Sequence, residues 1–221
     1  MRTRNKQLII LDLDGTLYDF KEGSFKMSGL NKIILRNAEK YIMNKLHKTK
    51  KEATLILRKI LKKYGENISI GLEKEFSINR FDYFNSVWNI NAKKFIKFDS
   101  SVRKILLKIS GHYDYLLISD APMIWIKSVL KELNVADVFS KKIISGEGDQ
   151  RKIFGNIFHM ILGDYKINPE NCVAIGDQEK TDIIPAKKLG MRTIFISKKK
   201  SSRYADYNIR KFKEITKVLT F

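Results

Sequence analysis

Residues 8–20, LIILDLDGTLYDF, constrain this chain more than any other stretch. Four consecutive large apolar residues end abruptly in Asp12, and Asp14, Gly15 and Thr16 come directly after. A fully apolar run without alternation suits a strand buried on both faces, and such strands belong to parallel sheets covered by helices. The acidic turn then falls at the carboxyl end of the strand, where open α/β sheets hold their ligands.

The text changes at about residue 28. Up to residue 64 it is lysine-rich, with apolar residues at helical steps: Ile34, Ala38 and Ile42, then Ile56 and Ile60. Gly65 suits a helix stop. Residues 72–98 carry many aromatics (Phe76, Phe81, Tyr83, Phe84, Trp88, Phe95, Phe98) and read as further helix and loop. From residue 99 onward strands and helices alternate. Strands are expected at 115–119 (YLLIS), 142–145 (KIIS), 172–175 (CVAI) and 193–197 (TIFIS). Helices are expected at 100–111, 122–133, 151–162, 182–189 and 207–219. This order predicts an α/β fold, a Rossmann-like doubly wound parallel sheet. Its core is 1–19 plus 99–221, and a helical block, 20–98, is inserted after the first strand.

With 221 residues the chain can bury one sizeable core and a small second module. No apolar run is long enough to span a bilayer. The run after Arg2, Arg4 and Lys6 is too short for a signal-peptide core. A single cysteine, Cys172, leaves no intramolecular disulfide and suits a reducing compartment, so a cytoplasmic protein without a membrane partner is expected. The net charge of +19 has two readings. One is an anionic partner such as nucleic acid. The other, which is favoured, is compositional drift, because lysine far outnumbers arginine and phosphate recognition more often recruits arginine.

The residues just past each strand carry the chemistry. After the first strand come Asp12, Asp14, Gly15 and Thr16; after YLLIS come Ser119 at its end and Asp120; after CVAI come Gly176, Asp177 and Asp182. Carboxylates converging on one sheet edge repel, and a hard divalent cation such as Mg²⁺ resolves that conflict. Such a site offers a nucleophilic carboxylate, a second carboxyl as acid/base, and a glycine that lets backbone N–H groups approach phosphoryl oxygens. The plainer reading of each is a helix cap or turn residue, places that Asp and Ser favour.

At these residues the chain resembles the haloacid dehalogenase (HAD) superfamily. LIILDLDGTLYDF matches its first motif, DxDGT after a hydrophobic strand. LLISD matches the second, VAIGDQEKTD matches the fourth, GDxxxxD, and ADYNIRKFKEI resembles the usual close of such chains. The resemblance implies Asp12 as nucleophile and metal ligand, and Asp14 as acid/base that also binds metal through its backbone carbonyl. Thr16 would fix the loop; Ser119, with Asp120 beside it and Gly15, would meet the phosphoryl group; Asp177 and Asp182 would serve the metal. The third motif, a Lys often followed by Pro, is not spelled out in GEGDQRKIFGNIF. Arg151 or Lys152 is the expected cation, with Lys141 or Lys142 as an alternative. Family members that cleave carbon–halogen bonds lack an acid two residues after the nucleophile, so Asp14 argues for phosphate chemistry.

In the family, a helical insert at this position is a cap that excludes water and sets specificity. Its basic residues between 32 and 63 read as a solvated face more readily than as a polyanion site. Its aromatics read as cap core more readily than as a stacking platform. The expected function is a Mg²⁺-dependent phosphatase acting on a small phosphorylated substrate through an aspartyl-phosphate. The alternatives are a phosphosugar mutase and a nucleic-acid-binding or regulatory protein on this scaffold. Oligomeric state is not legible.

Overall fold

The structure, a computed structural model, describes residues 7–139 and 142–219. Arg2, Arg4, Lys6 and Lys141 lie outside the described residues.

Six strands form one sheet in the order β3-β2-β1-β4-β5-β6. They are β1 (Leu8–Asp12), β2 (Asp114–Ser119), β3 (Ile143–Ser145), β4 (Cys172–Gly176), β5 (Arg192–Ile196) and β6 (Tyr207–Ile209). Every pairing is parallel, with Leu8 aligned to Asp114 on one side and to Cys172 on the other. The chain winds outward from β1 to β3, then crosses back to β4 and winds the other way. The carboxyl ends of β1 and β4 therefore flank the point where strand order reverses, and a crevice opens there.

Between β1 and the returning linker at Ile96 the chain builds four α-helices: α1 (Gly29–Lys45), α2 (Lys50–Tyr64), α3 (Ile68–Phe76) and α4 (Arg80–Val87). Their ends are set locally. Ser28 caps α1 by accepting from the Asn31 N–H at 3.3 Å. Thr49 and Glu52 form a capping box on α2, and Gly65 ends α2 at φ +59°. Leu30, Ile34, Ala38 and Ile42 pack on Ala53, Leu57, Leu72 and Phe84. Lys32, Arg36, Lys40, Lys51, Arg58, Lys59 and Lys62 point to solvent. The outgoing and returning linkers are tied together: Phe20 and Ile96 form an antiparallel bridge, and Lys21 N donates to Phe95 O and Lys97 N to Asp19 O, both at 2.9 Å.

The sheet is covered on both faces by α5 (Ser101–Ser110), α6 (Met123–Glu132), α7 (Ile157–Tyr165) and α8 (Ile184–Lys188). The strand alternation sorts the apolar residues into two layers. Ile9, Leu11, Leu117, Val173 and Ile175 pack with Val102 and Leu106 of α5 and Ile126 and Val129 of α6. Leu8, Ile10, Leu116, Ile118 and Ala174 pack with Ile157, Phe158 and Ile161 of α7. Complete burial of β1 explains its lack of alternation. Among the described residues no helix is long and apolar enough to cross a membrane.

Three expected elements differ. Residues 151–162 are not one helix: a 3-10 turn, Lys152–Phe154, ends at Gly155 with φ +78°, and α7 starts afresh. The helix expected from 182 begins earlier, as a π-helical turn, Glu179–Ile183, that runs into α8. The stretch 207–219 is an edge strand followed by a 3-10 segment, Phe212–Lys217. Asp206 anchors that strand by accepting from Thr193 N at 2.8 Å and Thr193 Oγ1 at 2.9 Å, a tertiary contact that helical periodicity does not register.

Candidate active site

Asp12 ends β1 and is 3% exposed. Both of its oxygens are engaged. Oδ2 accepts from Thr16 Oγ1 at 2.7 Å, and Oδ1 accepts from Lys152 Nζ at 2.6 Å. The same ammonium donates to Asp182 Oδ1 at 2.7 Å. Lys152 is 4% exposed. Burial alone would lower its pKa, but Asp12, Asp182 and Asp120 raise it well above the ordinary lysine value. The cation at the carboxylate cluster is thus Lys152, carried by the 3-10 turn. Arg151 faces elsewhere: its Nε donates to Gly146 O at 2.7 Å and its Nη1 to Asn67 Oδ1 at 2.6 Å. Lys142 pairs with Asp114 at 3.9 Å, away from the cluster.

β4 delivers Asp177, and the π-helical turn after it brings Asp182 back beneath. Asp182 Oδ2 accepts from Gln178 N at 3.0 Å. Two glycines allow this closeness. A Cβ on Gly15, which sits at φ +88°, would collide with the Asp177 carboxylate, and one on Gly176 would collide with that of Asp182. Burial, reinforced by Asp12 and Asp182, pushes Asp177 up to about 8. Burial pushes Asp182 up to about 6, with Lys152 pulling the other way. Three clustered carboxylates face the single cation Lys152, so negative charge is in surplus once all three are ionised.

The fit to a cation can be tested on these atoms. One oxygen each from Asp12, Asp177 and Asp182 lies within 4.8 Å of the others. Asp177 Oδ1 is buried with no hydrogen-bond partner, an arrangement that costs about 1–3 kcal/mol unless something fills it. An all-carboxylate donor set suits a hard ion such as Mg²⁺. Asp14's side chain is not in that group.

Asp14 is instead gripped by three donors. Trp125 Nε1 donates to Oδ1 at 2.8 Å, Ser119 Oγ to Oδ2 at 3.0 Å, and the Tyr18 hydroxyl also to Oδ1. Burial raises its pKa, and the Tyr18 hydrogen bond pulls it back. Ser119 Oγ in turn accepts from Ala121 N at 3.1 Å. Asp120 Oδ1 accepts from Lys152 N at 2.8 Å and so fixes the start of the turn that bears the lysine. Sequence reasoning does not single out Tyr18, Trp125 or Asn67. Tyr18 stands one turn after Asp14, a visible flank, whereas Trp125 looks like any core residue of α6.

Above the cluster lies a cavity of about 1060 Å³, bounded by Asp14, Gly15, Asp120 and Asp177 below and by Asn67 and Trp88 of the insert above. Tyr83 and Phe84 serve both as insert core and as cavity wall, while Phe81 is 50% exposed. None of the basic residues between 32 and 63 reaches the cavity.

Residues 6–190 match the model of a hydrolase family, the haloacid dehalogenase-like hydrolases. A glyceraldehyde 3-phosphate phosphatase of Pyrococcus furiosus is 26% identical, covering 98% of this chain and 94% of its own. Its counterpart from Pyrococcus abyssi is 27% identical over 86% of this chain and 80% of its own. Among solved structures, a HAD phosphatase from Thermococcus onnurineus superposes with a TM-score of 0.65 at 20% identity, covering 96% of this chain and 97% of that one.

Proposed function

The chain belongs to the haloacid dehalogenase-like hydrolases, and from that premise we propose that it is a Mg²⁺-dependent phosphatase acting on a small phosphate monoester through an aspartyl-phosphate on Asp12. The observation that carries this reading is the buried pairing of Asp12 with Lys152 beside an unpartnered Asp177 oxygen. A carboxylate so oriented can attack, and the surrounding charge is unbalanced in the sense a cation corrects.

Thr16 and Lys152 hold the Asp12 carboxylate in one orientation, which lowers the entropic cost of attack. An Asp12 oxygen bonds to phosphorus as the bond from phosphorus to the leaving oxygen breaks. Asp14, its pKa raised by burial, gives its proton to that oxygen. In the second step water attacks phosphorus, Asp14 takes the water's proton, and the Asp12–phosphorus bond breaks to release phosphate. Lys152 balances the charge that collects on the phosphoryl oxygens. Asp12, Asp177 and Asp182, with the Asp14 carbonyl, would hold Mg²⁺, which supplies further charge neutralisation at the phosphoryl group. The helices between residues 20 and 98 would act as the cap, since the cavity lies between them and the sheet edge.

Glyceraldehyde 3-phosphate is the first compound to assay, because two relatives carry its name. Wild-type protein should release phosphate only with Mg²⁺ present, and acid-quenched samples should carry a phosphoryl group on the peptide containing Asp12. Asp12→Asn should lose turnover by at least about a thousandfold. Wild-type turnover in Asp12→Asn would sink the covalent mechanism.

A further inference from the structure

Arg151 is 7% exposed, yet it makes no ion pair among the described residues. Its two hydrogen-bond partners are neutral, the Gly146 carbonyl and the Asn67 amide oxygen. Its guanidinium lies 6.0 Å from the centre of the Phe84 ring. Asp120 offsets its charge only through space, without an ion pair, and one oxygen of that carboxylate accepts the backbone N–H of Lys152. A buried guanidinium with no carboxylate on its fork is costly to keep. This one lines the cavity.

Its direction matters as much as its charge. Arg151 has extended backbone, φ −90° and ψ 143°, so its side chain and that of Lys152 diverge. Lys152 reaches down to Asp12 and Asp182. Arg151 reaches toward the insert, to Asn67 and Phe84. A phosphate seated at Asp12 leaves the rest of the substrate to the cavity above, which Arg151 lines. Guanidinium is a planar fork suited to carboxylates and phosphates.

We propose that Arg151 is a specificity residue that binds a second acidic group, on the leaving-group side of the phosphate monoester. This rests on the phosphatase reading above. The substrate class is then a phosphate monoester whose alcohol portion carries a carboxylate or a further phosphate.

The test uses matched pairs differing in that group alone, with full-length protein and Mg²⁺. One pair is glyceraldehyde 3-phosphate against 3-phosphoglycerate, an aldehyde exchanged for a carboxylate. The other is propane-1,3-diol monophosphate against its bisphosphate. In at least one pair the wild type should favour the acidic member by about tenfold or more in kcat/KM, chiefly through KM. The pair that responds identifies the group. In Arg151→Gln that ratio should collapse toward one, and Arg151→Lys should keep part of it. A residue that merely braced the insert against the core would lower both members of a pair alike and leave the ratio intact. Should Arg151→Gln fail to fold, Arg151→Lys and the wild-type ratios still decide. Equal turnover within both pairs, or a preference that survives in Arg151→Gln, would overturn the inference and leave the phosphatase standing. Hydrolysis of none of the four by the wild type would instead count against the phosphatase reading and take this inference with it.

Discussion

On the outer face of α1 and α2, Lys32, Lys40, Lys51, Lys59 and Lys62 stand in solvent. Beneath the cavity, Lys152 is enclosed between Asp12 and Asp182. The side chains are chemically identical, but their surroundings give the charge different weight. In water a lysine pair or repulsion amounts to less than about 1 kcal/mol and fades with salt. In the interior the same ammonium offsets carboxylates that solvent no longer screens, and its removal exposes their full repulsion. Most of the +19 net charge therefore says little about the chemistry. The cation that matters is set by a single short turn.

Lys152→Met breaks the comparison most severely. Stability should fall by about 3–5 kcal/mol, because the buried carboxylates lose their partner. Activity should drop by about 10²–10³ in kcat with the charge stabilisation gone. Thermal melts and steady-state rates measure the two effects separately. A variant of unchanged stability would mean that the carboxylates are compensated elsewhere.

Changing pH strains the floor without altering a residue. Asp177 and Asp182 have folded pKa values of about 8 and about 6, both above their usual value of 3.8. For acids raised in this way the folded state favours the protonated form. The associated stability is present at low pH and is lost as pH climbs through those values. Metal-free protein should melt lower at pH 8.5 than at pH 5, by about ten degrees. Mg²⁺, binding the ionised carboxylates, should restore most of that loss. Melting at pH 8.5 that ignores Mg²⁺ would contradict the proposed ligands.

At the outer face the expected effect is smallest. Lys59→Gln together with Lys62→Gln should change stability by no more than about 0.5 kcal/mol and leave phosphate release on small substrates as it was. A large rate change would mean that the outer face takes part in substrate capture.

Features that depend on short range are written plainly in the sequence. β1 and β4 are legible because both are uniformly apolar and end in acidic turns, and Gly65 and Gly190 mark helix ends at positive φ. Chain position puts Asp12, Asp177 and Asp182 at adjoining strand ends, and the structure brings them together. The choice between Arg151 and Lys152 is not legible. It turns on one residue of extended backbone before a 3-10 turn, which Gly155 then interrupts, and periodicity averages over both. Trp125 is hidden in the sequence because burial in α6 explains a tryptophan without reference to Asp14. The edge strand β6 depends on pairing with β5, a contact between segments that local propensity does not weigh.

The paired linkers at Phe20 and Ile96 have a consequence for how this architecture can vary. The chain leaves the sheet and returns to it at one point, so everything between is topologically a single large loop. The entropy of closing a loop grows only logarithmically, by about 0.6 kcal/mol for each doubling of length. Closing the chain therefore sets little limit on how many helices stand above the crevice. What holds the present ones in place is a few side-chain ties to the floor, Asn67 with Arg151 and Arg80 with Asp149, next to the turn that carries Lys152. A longer or shorter insert would cost little at the junction, and its fit would be decided at those ties.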